Sequence, residues 1–252
     1  MANASTTHLV LIPSYDSGWL LTRTIAEARA EWAPVWVVID GSADASAVEA
    51  EAMAGRDPSL RVLRLPRNQG KGAALRHGLL AAQGRGFTHV LVMDADGQHP
   101  AGQIRIFMAA STASRSALVM GRPVFGADAP WPRVAGRRIS NWLAAVETGR
   151  AVGDVLFGFR VYPIAPLLAA MRESAGMRGF DFDPEAVVRL VWNGTPLIHL
   201  PAPVRYLGPA EGGVSHFDYL RDNSLLARMH VRLMGAAIGR LAKLVFSRPT
   251  SR

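Results

Sequence analysis

The first 120 or so residues alternate short apolar runs with helical patterns, and that alternation constrains the chain more than any other feature. Apolar segments at 9–13, 35–40, 60–65, 89–94 and 118–121 have the length and composition of buried strands. Between them, 19–32, 46–54, 70–83 and 100–113 carry apolar residues at three- and four-residue spacing and read as helices. Strands separated by helices predict an α/β fold, a doubly wound, parallel sheet with helices on its faces. No internal repeat or low-complexity linker interrupts the pattern, so a single domain over 1–252 is expected. Beyond Arg122 the regularity decays into a Pro- and Gly-rich loop, a helix over 138–150 and mixed short elements.

The ends of these strands are polar in a particular way. The first runs into Pro13-Ser14-Tyr15-Asp16, the second into Asp40-Gly41-Ser42-Ala43-Asp44 and the fourth into Asp94-Ala95-Asp96. Open α/β sheets bind ligands in the crevice outside the carboxyl ends of their strands. Acids on three strand ends there point to a nucleotide–metal site, although Asp16 and Asp44 singly also suit helix N-caps. In Met93-Asp94-Ala95-Asp96-Gly97-Gln98-His99-Pro100 the two acids stand at i and i+2. Strand alternation would aim both to one side. With Gln98 and His99 adding polar atoms, the set suits a hard divalent cation carrying a phosphate-bearing ligand. A solvated Asp-Gly turn is the competing reading.

Charge narrows the partners. Lys and Arg number 28 against 20 Asp and Glu, a net charge of +8, which favours anionic ligands. Nucleic acid is not expected, because no basic face with interleaved aromatics and no reading helix is evident. With 49% hydrophobic and 19% charged residues the chain is globular rather than disordered. Cysteine is absent, which removes disulfides and thiolate chemistry. The N-terminus lacks the basic and apolar stretches of a signal peptide. No apolar run approaches the ~20 residues that span a bilayer, so a soluble or peripheral protein is expected.

Further candidates are scattered. Arg67-Asn68-Gln69-Gly70-Lys71-Gly72 is a basic, glycine-rich helix entry in which Lys71 and backbone N–H groups could hold phosphate. Its glycines could equally serve close packing, and the spacing is not that of a Walker A loop. Arg122, Arg137, Arg138, Ser140 and Arg160 suit bidentate phosphate recognition, with a solvated helix face as the alternative for Arg137 and Arg138. Asp181 and Asp183 alternate with aromatics, a pattern that predicts one face of an extended segment and a general base; Asp183, before Pro184, is also a candidate N-cap. His216 sits in a loop that could fold over the site as a metal ligand. Apolar residues recur at helical spacing over 220–246 beside Arg228, Arg232, Arg240 and Lys243. A basic amphipathic helix of this type lies on anionic membrane or docks on its own domain.

In their order along the chain these segments resemble the family 2 glycosyltransferases of GT-A fold, in particular those like dolichyl-phosphate mannose synthase. Val10 to Asp16 and Val37 to Asp44 are similar to that family's two nucleotide-binding strands, and Asn68 to Leu79 to its NxGKGxAxxxGL segment. The run Asp94 to Pro100 resembles its metal-binding DxD region. Gly121-Arg122, Arg138 with Ser140, and Asp154 through Arg160 resemble its later donor and acceptor segments. More narrowly, 157–166, 180–189 and 213–232 resemble a bacterial subgroup associated with lipid acyltransferases and aryl polyene lipid assembly. The second strand departs from the family in ending Ile39-Asp40 where two consecutive acids are common, and Asp16-Ser17 stands in place of Asn-Glu.

The resemblance implies a Rossmann-like, mostly parallel sheet with a nucleotide-sugar-binding half over 1–121, an acceptor half over 122–219 and a basic C-terminal helix over 220–252. It implies an inverting transfer of sugar from a nucleoside-diphosphate sugar to a lipid-linked or polyprenyl-phosphate acceptor, on the inner face of a bacterial cell membrane. Pro13, Tyr15, Asp16, Asp40, Gly41, Ser42, Lys71, Asp94, Arg122 and Ser140 would bind substrate. Asp96, Asp94, Gln98 and His216 would hold Mg²⁺ or Mn²⁺. Asp181 or Asp183 would act as base toward a hydroxyl acceptor, whereas Arg138 and Arg160 would serve an ionised phosphate acceptor. A nucleotidyltransferase or a non-catalytic nucleotide- or lipid-binding protein would use the same acids.

Overall fold

Strands β1 (His8–Ser14) and β2 (Val35–Asp40) are buried along their whole length, as expected of central strands covered on both faces. In the computed structural model, which describes residues 4–125, 131–205 and 219–246, they lie in a seven-stranded sheet of order β3-β2-β1-β4-β6-β5-β7. The other strands are β3 (Leu60–Leu65), β4 (His89–Val92), β5 (Leu118–Val124), β6 (Arg160–Pro163) and β7 (Leu197–Pro203). β1 to β4 run parallel. β6 runs against both β4 and β5, and β7 pairs parallel to β5. The sheet is therefore mixed at one position rather than wholly parallel.

Side-chain alternation builds two cores. Leu9, Leu11, Trp36, Val38, Val90 and Val92 face one side, while Val10, Ile12, Val35, Val37, Ile39 and Leu91 face the other. The second side is covered by α1 (Trp19–Glu31), α2 (Ser46–Ala54) and α4 (Ile104–Ala113, after a 3-10 turn at Ala101–Gln103). The first is covered by α3 (Lys71–Gln83), α6 (Ile164–Arg172) and α7 (Phe182–Trp192), joined by Ala144 of α5 (Trp131–Thr148) and by Leu226, Met229 and Leu233 of α8 (Tyr219–Phe246). No helix among the described residues is long and apolar enough to cross a membrane.

The sequence expectations hold for β2, α2 and β3 to the residue, and for α8 to within one. Three differ. β4 stops at Val92, so Asp94 and Asp96 lie beyond the strand and strand alternation does not aim them; Ala95 and Asp96 form a turn that Gly97 closes at φ +70°. The helix expected over 138–150 begins earlier, as α5. The segment around Asp181 and Asp183 is not extended. Asp181 is the N-cap of α7 and Asp183 lies in its first turn, because Pro184 is well tolerated there, where a helix needs no intrahelical donor.

Candidate active site

A cleft of about 1080 Å³ opens at the carboxyl ends of β1, β2 and β4, where open α/β sheets bind ligands. Pro13 and Tyr15 at the end of β1, Asp40 closing β2, and Asp94, Asp96 and Gln98 after β4 form one wall. Lys71 at the start of α3 and Asp183 of α7 lie between that wall and the opposite one, which is made by Arg137 and Ser140 of α5 and by Arg221, Asp222 and Arg228 of α8.

Lys71 is the electrostatic centre. Its Nζ lies 2.7 Å from Asp94 Oδ1 and 2.7 Å from Asp183 Oδ2, with 14% of the side chain exposed. Burial works against the ammonium, but the two carboxylates win and hold its pKa above the ordinary lysine value. Burial likewise opposes the Asp94 carboxylate, yet Lys71 and then His99 keep it below the usual carboxylate range. Gly158 packs so close that a Cβ there would stand 2.9 Å from Lys71 Nζ, 3.2 Å from Asp94 Oδ2 and 3.3 Å from Asp183 Oδ1. The remaining oxygen of Asp183, Oδ1, is buried and accepts no hydrogen bond.

Asp96 makes no ion pair with a cation among the described residues. Burial, then the charge of Asp94, pushes its carboxyl above the usual range, and the Gln98 N–H donates to its Oδ1 at 3.0 Å. His99 is fixed in one tautomer, because its Nδ1 accepts the Asp94 N–H at 2.9 Å. Burial lowers its pKa, and its ring lies edge-on to Phe157 and Phe159. Among the described residues no three His, Cys, Asp or Glu side chains converge on a metal position. Two hard carboxylates, one of them short of positive charge, nevertheless fit a Mg²⁺- or Mn²⁺-like ion that takes its other ligands from substrate phosphates and water.

Several predicted residues shape the cleft rather than line it. Asp16 accepts the Ala43 N–H at 2.8 Å and gives its own N–H to Ser42 Oγ at 3.0 Å, tying the β1 and β2 loops together. Gly41, at φ +69°, touches the Arg67–Asn68 backbone where a Cβ would stand 2.3 Å from a carbonyl carbon. Asp40 does reach the cleft, but its oxygens accept the Gln69 and Gly70 N–H groups at 2.9 and 2.8 Å. Burial raises its pKa, partly offset by those two donors. The phosphate cradle expected at the start of α3 is already filled, since the Gly72 and Ala73 N–H groups donate to the Arg178 carbonyl at 2.9 and 3.3 Å. Packing is what these glycines serve: a Cβ on Gly72 would stand 2.0 Å from the Met177 carbonyl oxygen.

Four expected site residues lie elsewhere. Arg122 is exposed on β5, two strands beyond β4 and paired in register with Pro201 of β7. Arg138 is exposed, because one residue along a helix turns the side chain about 100° from Arg137; Arg137 lines the cleft and donates to Asp154 Oδ1 at 2.8 Å. Arg160 is fully buried behind the wall, donating to the Asp183 carbonyl at 2.7 Å and to Tyr162 Oη at 3.0 Å. Asp181 is spent on the Met177 and Gly179 N–H groups, both at 2.9 Å. His216 lies outside the described residues. The sequence offered Arg137 for phosphate recognition with a solvated helix face as the alternative, and left Arg221 and Asp222 unremarked; the packing of α5 and α8 brings all three to the cleft.

A sequence model of the family described as glycosyl transferase family 2 matches residues 9–169. An undecaprenyl-phosphate mannosyltransferase of Micrococcus luteus is 29% identical over 202 residues, covering 77% of this chain and 81% of that protein. A polyprenol monophosphomannose synthase of Mycolicibacterium smegmatis is 25% identical over 199 residues, covering 77% and 75%. Among solved structures, glucosyl-3-phosphoglycerate synthase from Mycobacterium tuberculosis superposes with a TM-score of 0.65 at 17% identity, covering 93% of this chain and 81% of that one. The same enzyme with Mn²⁺, UDP-glucose and phosphoglyceric acid gives 0.59. At that identity the likeness speaks for the GT-A fold alone.

Proposed function

The chain belongs to glycosyl transferase family 2, and from that premise we propose that it moves a sugar, with inversion, from a nucleoside-diphosphate donor to a polyprenyl-phosphate acceptor. The observation that carries the acceptor half is that neither expected base is available. Asp181 is committed to backbone N–H groups. Asp183 is bonded to Lys71, and its other oxygen is buried. A hydroxyl acceptor must lose a proton to such a base. A polyprenyl phosphate is already ionised and needs positive charge instead, which Arg137, Arg221 and Arg228 supply at the opposite wall. The acceptors named for the Micrococcus and Mycolicibacterium relatives agree with this reading.

The donor would lie with its nucleoside between Pro13, Tyr15 and the Asn68–Gln69 turn, and its diphosphate toward Asp96. A Mg²⁺ or Mn²⁺ ion held by Asp96, with Asp94 and Gln98 beside it, would supply charge neutralisation for the leaving diphosphate; the Mn²⁺ in the solved glucosyl-3-phosphoglycerate synthase complexes supports this choice. Lys71 keeps Asp94 ionised and holds both Asp94 and Asp183 in place. Arginines opposite hold the acceptor phosphate for attack on the far face of the anomeric carbon. Calorimetry with a panel of nucleoside-diphosphate sugars should find one whose binding needs the metal and disappears in Asp96→Ala; metal-dependent binding that survives the substitution would remove Asp96 from this role.

Exposed side chains on α5 and α8 support membrane association. Trp142 of α5 is 64% exposed and Val231 of α8 is 76% exposed, with Ile139 and Leu220 also open and Arg138, Arg221 and Arg228 interspersed. Apolar side chains among arginines suit the inner, anionic face of a cell membrane, where a lipid acceptor resides. The whole reading is tested by what leaves the donor when polyprenyl phosphate is present. Nucleoside diphosphate with a glycosylated lipid is expected. Sugar 1-phosphate, released as the nucleotide is transferred, would make the protein a nucleotidyltransferase, free sugar a hydrolase, and no turnover a binding protein.

A further inference from the structure

Behind Ser140 stands a pair of buried titratable groups that the transfer reaction does not call on. Ser140 and Glu147 are seven residues apart on α5 and so share a face two turns apart. His230 of α8 fits between them. Its Nδ1 is 2.8 Å from Glu147 Oε1 and its Nε2 is 3.4 Å from Ser140 Oγ. The Glu147 side chain is completely buried and that of His230 is 6% exposed; Glu147 Oε2 has no hydrogen-bond partner. Trp192 of α7 donates its indole N–H to the Glu147 carbonyl at 2.9 Å, fixing the end of α5 on which the pair depends. Ser140 is the member that reaches the cleft.

Burial favours a net-neutral pair. A lone charge sealed from water is costly, whereas a net-neutral pair is tolerated. A neutral Glu147–His230 pair exists in two forms, carboxylate with imidazolium or carboxylic acid with imidazole. In both, Nδ1 is engaged with Glu147 and Nε2 carries a hydrogen. With such a net-neutral pair the Nε2–H donates to Ser140 Oγ across the 3.4 Å contact, and the hydroxyl's own proton is left to turn toward the cleft. That orientation serves an anion and not a donor group.

We propose that Glu147 and His230 are positioning residues that hold the Ser140 hydroxyl as a hydrogen-bond donor to an anionic phosphate group in the cleft, so that α8 contributes to the site from behind its wall. The inference rests on the polyprenyl-phosphate reading and assigns its phosphate an uncharged donor beside the arginines. It has a distinctive signature, because His230 would act only through Ser140.

The experiment is calorimetric binding of a short-chain polyprenyl phosphate in detergent to the full chain and to Ser140→Ala, His230→Gln, Glu147→Gln and the double variant Ser140→Ala/His230→Gln, each first checked for a cooperative urea transition. A hydrogen bond to a charged group is worth about 1.5–3 kcal/mol, so Ser140→Ala should weaken binding by roughly ten- to a hundredfold. His230→Gln and Glu147→Gln should weaken it less, and the double variant should match Ser140→Ala alone. Losses that multiply in the double variant, or His230→Gln and Glu147→Gln binding like the unaltered chain, would overturn the positioning role. If His230→Gln does not fold, Glu147→Gln alone decides, since it keeps the shape of the side chain. Failure of the unaltered chain to bind polyprenyl phosphate would sink the acceptor assignment, a separate outcome.

Discussion

Replacing Lys71 by methionine separates two roles that a lysine at the head of a helix can play. If it grips substrate phosphate, the substitution should weaken donor binding and leave the apo protein stable. The geometry assigns it to the fold as well, since one ammonium bridges two carboxylates at 2.7 Å each. Asp183 is 6% exposed and Asp94 29% exposed, so one partner is sealed and the other opens onto the cleft. Removing one member of a buried ion pair typically costs 3–5 kcal/mol, because the charge left behind is uncompensated. Solvent at Asp94 puts the expected loss near the lower end, about 3 kcal/mol. For a chain of this size that corresponds to a fall in Tm of roughly 6–12 °C. Urea unfolding of Lys71→Met, Asp183→Asn and the double variant measures it. The double variant should recover about 1–2 kcal/mol relative to the sum of the singles, because without the lysine the Asp183 charge only repels Asp94. A Lys71→Met protein within 1 kcal/mol of the unaltered chain, or strictly additive singles, would refute the bridge as a structural element.

Three further outcomes follow from single contacts. Gly158→Ala places a methyl group 2.9 Å from Lys71 Nζ, and displacing the lysine should cost about 1–3 kcal/mol in urea unfolding and weaken donor binding by calorimetry. His8 stacks on His89 with ring centroids 4.4 Å apart; burial, then the charges of His89 and Arg115, brings its pKa to about 4. The unfolded chain, near 6.5, then binds more protons than the folded one between those values, so stability should fall as pH drops through that window. After solvent screening the loss is about 1–2 kcal/mol, and it should vanish in His8→Gln when urea midpoints are compared at pH 7 and 4.5. Trp142→Ser with Val231→Asp should abolish sedimentation with anionic phospholipid vesicles while leaving the urea midpoint within about 0.5 kcal/mol, and retained sedimentation would remove α5 and α8 from membrane contact.

The legible part of this chain is the part whose physics is local. β1, β2 and β3 and the helices between them announce themselves because β1 and β2 are buried on both faces, β3 alternates apolar residues with arginines at the sheet edge, and each helix presents one apolar stripe. β6 was not legible, since Arg160 breaks its apolar run and its burial depends on the Asp183 carbonyl, which arrives from α7. The acid pair at 94 and 96 was found by residue type, but its exposure to the cleft comes from a turn at Gly97 rather than from strand alternation. Arg138 and Arg137 illustrate the limit most plainly. Adjacent arginines on a helix cannot be ranked until the register of that helix against α7 and α8 is known, and that register is set by packing distant in sequence. Asp181 resembled a base in the sequence and is a loop fastener in the fold, because its partners are backbone N–H groups that no side-chain pattern reveals.

The account stands or falls on the acceptor, because the lack of a free base is what distinguishes transfer to a phosphate from transfer to a hydroxyl. Initial rates with the cognate nucleoside-diphosphate sugar should therefore be measured against a polyprenyl phosphate and the polyprenol of the same chain length. Turnover with the phosphate and none with the alcohol is the predicted result. Comparable rates with both would mean that a base operates in the cleft and that the ionised-acceptor mechanism is wrong.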